Sequence, residues 1–248
     1  MRSLRAVARL LRALGHALAG LCTILFAFAR LDVPQRHARV QAWAARMLGI
    51  LGIRLQVRGD TPAHGPLLLV ANHISWLDIL VLHAAGHCRF VSKSDVRHWP
   101  LIGALATGAG TLYIERESRR DAMRVVHHMA DALRAGDILA VFPEGTTSDG
   151  TRLLPFHANL LQAAIGADSP VQPVALQYLD AATGAISRSV RYVDDDTLVG
   201  SLWRTLAGPP VVAVVSFGQP QRALGRDRRR WAGDLRQAVQ ALRQAEGG

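Results

Sequence analysis

Cysteine, lysine and aromatic residues are scarce in this chain, and each scarcity removes a class of protein. Two cysteines, Cys22 and Cys88, in 248 residues make neither a disulfide framework nor a metal-ligating cluster, which fits a reducing compartment. The ten histidines are scattered, so no metal site is expected. Lys93 is the single lysine among 29 basic residues, and against so strong a bias toward arginine it becomes a candidate functional group. Aromatic residues make up 6% of the chain and are not interleaved with the arginines, so there is no stacking platform for nucleic acid. No Gly-x-Ser-x-Gly elbow occurs, which argues against a hydrolase of that type. Internal repeats and low-complexity segments are also absent.

What is plentiful is positive charge and apolar surface. The net charge of +10, with a sequence pI near 11.1, calls for an anionic partner: nucleic acid, an acidic membrane or a phosphorylated substrate. A hydrophobic content of 50% is ample for one large catalytic domain. Arg2, Arg5, Arg9 and Arg12 lead into an apolar run from Ala13 to Ala29, closed by Arg30. As a helix this run spans roughly 25 Å, short of the ~30 Å hydrocarbon core. A cleaved signal peptide is disfavoured because a second membrane-like helix follows. The length and basic flank fit a helix embedded in one leaflet, and a spanning helix requires Leu10 and Leu11 as well. Beyond Pro34, residues 35–51 set Val40, Trp43, Ala44, Met47, Leu48 and Leu51 on one face of an amphipathic helix. Residues 1–51 are therefore read as a membrane-associated helical pair, 52–221 as the catalytic domain and 222–248 as a basic amphipathic helix.

Short apolar runs alternate with amphipathic helices through the rest. Strands are expected at 53–58, 66–70, 88–92, 110–116, 138–142, 171–177, 190–193 and 211–217. Helices are expected from Ser75, over 118–134 with Met123, Val126, Met129 or Ala130, and Leu133 inward, over 156–165 and over 197–206. In the tail Trp231, Leu235, Val239 and Leu242 recur at helical spacing. This alternation predicts an α/β fold: a mixed, largely parallel sheet covered by helices, with the amino-terminal helical pair beside it.

The stretch from Val70 to Asp78 sets a base and a carboxylate where an apolar strand hands over to a helix. Ser75-x-x-Asp78 is a helix start of capping-box type, which leaves His73 just outside the helix. Within a helix, residues five apart point about 140° away from each other, so His73 and Asp78 meet only with His73 outside it. Asp78 can then hold one imidazole nitrogen and leave the other free to take a proton from a hydroxyl. Chance supplies roughly 0.6 such pairs in this composition, so the spacing alone leaves a plain cap as the alternative. Arg116 ends a strand on the edge where open α/β sheets place ligands, with a solvated helix start as its alternative. Pro143 to Gly150 is a turn whose amides and hydroxyls suit an anionic group.

Four segments, in order, resemble the four blocks of the glycerolipid acyltransferases of 1-acylglycerol-3-phosphate acyltransferase type. They are Asn72 to Asp78 with its His-x4-Asp motif, Lys93 to Gly103 followed by Gly110 to Arg116, Phe142 to Thr146, and Val171 to Val174. The resemblance spans roughly residues 50–220. It implies acyl transfer from acyl-CoA or acyl carrier protein to a lysolipid hydroxyl, without a bound cofactor; the four arginines before the apolar run add the expectation of an anionic membrane, at the cytoplasmic face of a bacterial inner membrane. It implies His73 as general base and Asp78 as its partner. It also implies that Lys93, Arg116, Glu144, Gly145, Thr146 and Thr147 bind the acceptor, with Glu144 positioning Arg116 or Lys93. Thr147 departs from the family's usual Glu-Gly-Thr-Arg and removes a phosphate contact. Lysophosphatidic acid is the first acceptor expected. Thr-Ser-Asp-Gly at this place also resembles the lyso-ornithine lipid acyltransferases, whose acceptor carries an amino-acid head group. Two non-enzymatic readings stand beside these. A basic nucleic-acid-binding protein leaves the apolar amino-terminus unexplained, and an inactive membrane scaffold would not be expected to keep His73, Asp78 and Glu144 together.

Overall fold

The computed structural model describes residues 2–114, 119–193 and 195–245. Seven strands form one sheet: β1 (Ile53–Arg58), β2 (Leu67–Ala71), β3 (Arg89–Lys93), β4 (Leu112–Ile114), β5 (Ile138–Val141), β6 (Val171–Asp180) and β7 (Val211–Phe217). Their order is β1-β7-β6-β2-β5-β3-β4, and every neighbouring pair is parallel except β6 with β7. The expected mixed, largely parallel sheet is the one observed. β2 and β5 are buried at every position, which is why they read as unbroken apolar runs and not as alternating ones.

Helices α1 (Arg2–Phe26), α2 (Val33–Leu51), α3 (Leu77–Ala85), α4 (Ile102–Gly108), α5 (Arg119–Arg134), α6 (Leu161–Gly166), α7 (Leu198–Ala207) and α8 (Arg228–Gln244) cover both faces. Successive residues of β2 point to opposite sides and so divide the core. Leu69, Ala71, Leu176 and Tyr178 join α1, α2 and α3 on one face. Leu68, Val70 and Leu139 join α5, α6 and α8 on the other.

Pro34 does not interrupt a helix but sits in the first turn of α2, where its missing N–H costs nothing. Asp32 and Gln35 close a capping box around that turn. α1 turns Ala6, Ala13 and Ala17 inward and leaves Leu4, Leu11, Leu18 and Leu25 exposed at seven-residue intervals. Its inner face is pinned by reciprocal bonds. The Trp43 indole N–H donates to the His16 carbonyl at 3.0 Å, the His16 ring lies 3.0 Å from the Trp43 carbonyl, and Arg9 donates to Leu206 O.

Four local expectations are corrected. In α5 Val125 is buried and Met123 is 63% exposed, because the face presented to the sheet is set by Val125, Met129, Ala130 and Leu133. The helix expected over 156–165 starts later, as a 3-10 turn at Ala158–Leu160 leading into α6. Residues 190–193 form no strand, and the Tyr192 amide bonds Ile74 O at 3.1 Å instead of joining a sheet edge. The tail becomes helical only at Arg228, where Asp227 caps it. It packs Trp231, Leu235 and Val239 against the domain.

Candidate active site

His73 stands where β2 leaves the sheet. As the main chain departs, Asn72 continues the ladder with its side chain: the Leu176 amide donates to Asn72 Oδ1 at 2.8 Å, and Asn72 Nδ2 donates to Leu176 O at 3.0 Å. Residues 73–76 form an irregular link before α3, which leaves His73 outside the helix and Asp78 in its first turn. The capping box forms only in part. Asp78 Oδ2 reaches back to accept from the Ile74 and Ser75 amides at 2.7 and 3.0 Å, while Ser75 Oγ accepts from Leu77 N and not from Asp78 N. The same Oδ2 lies 2.7 Å from His73 Nδ1. A carboxylate only accepts, so the neutral imidazole carries its proton on Nδ1. Nε2 has no hydrogen bond to another described residue.

Tyr178 of β6 donates its hydroxyl to Asp78 Oδ1 at 2.6 Å. Asp78 thus takes four donors while fully buried. Burial, and then the Asp78 charge, hold the Tyr178 phenol well above its ordinary range, so it stays a donor at any working pH. Phe142, the first residue after β5, stacks on the His73 ring at 4.0 Å between centroids and fixes its plane. The His73 side chain keeps 20% of its surface exposed, enough to meet a substrate.

The loop after β5 is stapled to His73. The His73 amide donates to Glu144 Oε1 at 3.4 Å, and both the Ser148 amide and hydroxyl donate to His73 O, at 2.8 and 3.2 Å. Gly145 turns with φ of +74°, a conformation that favours glycine, and a Cβ there would lie 3.1 Å from the His157 ring, which would have to give by a few tenths of an ångström. Burial pushes the Glu144 carboxyl up to about 7. Arg243, near the end of α8, is buried beneath this loop and donates to Gly150 O, and burial lowers its own pKa.

The structure therefore brings His73, Asp78, Glu144 and Gly145 together, with Thr146 and Thr147 following on the same loop. Lys93 is exposed at the end of β3 and makes no ion pair with Glu144, so the expected Glu144–Lys93 contact is not formed: buried Glu144 turns to the His73 amide. Arg116 lies outside the described residues. Tyr178, Ser148, Asn72 and Arg243 were not singled out from the sequence. Their roles depend on β2 lying beside β6 and on α8 crossing behind the loop, which no local pattern encodes.

A family model described as acyltransferase matches residues 53–177. The lyso-ornithine lipid O-acyltransferase of Pseudomonas aeruginosa is 39% identical, over 99% of this chain and 93% of that protein. The 1-acyl-sn-glycerol-3-phosphate acyltransferase of Neisseria gonorrhoeae is 37% identical over 73% of this chain and 71% of its own. The crystal structure of the 1-acyl-sn-glycerophosphate acyltransferase PlsC from Thermotoga maritima shares the fold, with a TM-score of 0.72 over 100% of both chains at 16% identity.

Proposed function

The chain belongs to the acyltransferase family, and from that premise we propose that it moves a fatty acyl group from a thioester, acyl-CoA or acyl carrier protein, to the free hydroxyl of a lysolipid. The reading is carried by the 2.7 Å contact of His73 Nδ1 with Asp78, which leaves Nε2 as the base. A neutral hydroxyl is a poor nucleophile at pH 7. His73 Nε2 takes its proton as the oxygen attacks the thioester carbonyl. The tetrahedral intermediate then collapses, the C–S bond breaks, and the thiolate leaves with the proton from the imidazolium. The Gly145 amide is committed to Phe142 O, so the amides of Thr146 and Thr147 are the donors assigned to the oxyanion. Lys93, Arg116 and Glu144 complete the acceptor site in this reading.

Two head groups fit, each on its own observation. Similarity over nearly the whole chain to a lyso-ornithine lipid enzyme, together with Thr147, supports an amino-acid head group. Lys93 at the end of β3, and the similarity to glycerol-phosphate enzymes, support lysophosphatidic acid. The lipid is met through α1. By length and composition Ser3–Phe26 is apolar enough to cross a membrane. Its inner alanines are nevertheless held by the domain, and its exposed leucines, with Arg5 and Arg12 beside them, suit a helix lying in one leaflet. The arginines support a place on the anionic cytoplasmic face of a bacterial inner membrane in this reading.

Transfer of a radiolabelled acyl group to a panel of lysolipids is the test. The His73→Ala variant is expected to lose at least about 10²-fold in turnover with nearly unchanged thermal stability. Loss of folding together with activity would return His73 to a structural role. Thr147→Arg is expected to raise the rate on lysophosphatidic acid relative to lyso-ornithine lipid; an unchanged ratio would mean that this loop does not read the head group.

A further inference from the structure

Between the first turns of α8 and residues 155–159 runs a groove of about 610 Å³. Phe156, His157, Asn159, Arg228, Arg229 and Arg236 line it, and no acidic side chain does. Other arginines of the chain are neutralised by carboxylates, as Arg204 is by Asp196 and Arg226 by Asp234. The guanidinium groups of Arg228 and Arg229 form no ion pair with a carboxylate among the described residues, and Arg229 shares only the through-space field of Asp227, whose side chain is bonded to the α8 amides. Arg236 is aimed by the carbonyls of Leu153 and Leu154, which take its Nη2 and Nε at 2.8 and 3.0 Å. The Asp227 carboxylate already caps the α8 amides, so the charge of the groove is side-chain charge.

Two further observations say which anion belongs there. His157 forms part of the wall, and its ring packs on Gly145 while its amide donates to Pro143 O at 2.8 Å. The wall is thus the back of the loop that holds Glu144 against His73. In addition, α8 lies on the sheet face opposite α1 and its exposed leucines. A lipid acceptor approaching along α1 leaves the α8 side to water, from which a soluble donor arrives.

We infer that this groove seats the phosphate-bearing end of the thioester donor, the phosphopantetheine phosphate together with the group attached to it, while the acyl end reaches His73. The inference rests on the proposed acyl-transfer function. The test compares three donors with one acyl chain: acyl-CoA, acyl carrier protein, and the N-acetylcysteamine thioester, which has no phosphate. In the Arg228→Glu, Arg229→Glu double variant, kcat/KM for the phosphate-bearing donors should fall about 10- to 150-fold relative to the truncated donor, the range for lost charged hydrogen bonds. The wild-type KM for those donors should also rise with salt, and the variant's much less. A fall for both phosphate-bearing donors assigns the shared arm, and a fall for one assigns the nucleotide or the carrier. An unchanged ratio, or an equal loss with all three donors, overturns the groove while leaving the enzyme reading intact. A wild type that accepts no thioester would remove both.

Discussion

Replacing Tyr178 by phenylalanine isolates one hydrogen bond at the base of the site. The ring packing is kept and one oxygen is removed, leaving Asp78 Oδ1 without the donor that sits 2.6 Å away in a fully buried setting. Hydrogen bonds to a charged group are worth about 1.5 to 3 kcal/mol. In a domain of this size that lowers Tm by about 3 to 12 °C. Catalysis suffers less, because Oδ2, which faces His73, keeps the Ile74 and Ser75 amides. We expect kcat to fall by up to about tenfold. Thermal melts and steady-state rates measure both effects. A cycle with Asp78→Asn supplies the control: if Tyr178 acts through Asp78, the double variant is scarcely worse than Asp78→Asn alone. Fully additive losses, or a Tyr178→Phe enzyme with wild-type melting and turnover, would refute the reasoning.

Glu144→Gln should stabilise the protein more at pH 8 than at pH 5. The folded carboxyl, raised to about 7 from 4.5, binds its proton more tightly than the unfolded one, so its stabilising contribution is present below 4.5 and lost as pH rises through 7. The bound from the shift is about 3 kcal/mol, reduced to about 1 to 2 by solvent screening, and urea melts giving the same difference at both pH values would sink the idea. His83 works in the opposite sense. Buried and lowered to about 4 from 6.5, it contributes stability above 6.5 that is lost as pH falls toward 4, so His83→Leu should flatten the acid side of the stability curve. On α1, Leu11→Glu with Leu18→Glu changes only exposed positions, at about 1.5 to 3 kcal/mol of lipid burial each. The variant should leave anionic vesicles in a flotation assay while remaining folded, and continued binding in high salt would place the anchor elsewhere.

Much of the architecture was legible because it is written in local periodicity. β1 and the inward face of α2 fall where alternation and 3.6-residue spacing put them, β7 falls on its apolar run, and His73 with Asp78 follows from a helix start that must exclude one of the two. What was not legible depends on neighbours distant in sequence. Tyr178 meets Asp78 only because β6 lies beside β2 with Ala71 opposite Val174. Residues 190–193 have a strand's composition but, with β1 and β4 forming the sheet edges, are held by Ile74 instead. Met123 reads as core at helical spacing, yet the face of α5 that meets the sheet runs through Val125, Met129, Ala130 and Leu133.

The position of Arg243 has a consequence for the order in which the enzyme comes into being. α1 precedes every strand of the sheet, and β1 must wait for β7, more than 150 residues later in sequence, before it has a neighbour. The loop beside His73 gains its underlying support only when residue 243 arrives and donates to Gly150. The loop beside His73 is therefore braced only after all seven strands of the sheet, which end at Phe217, have been synthesised.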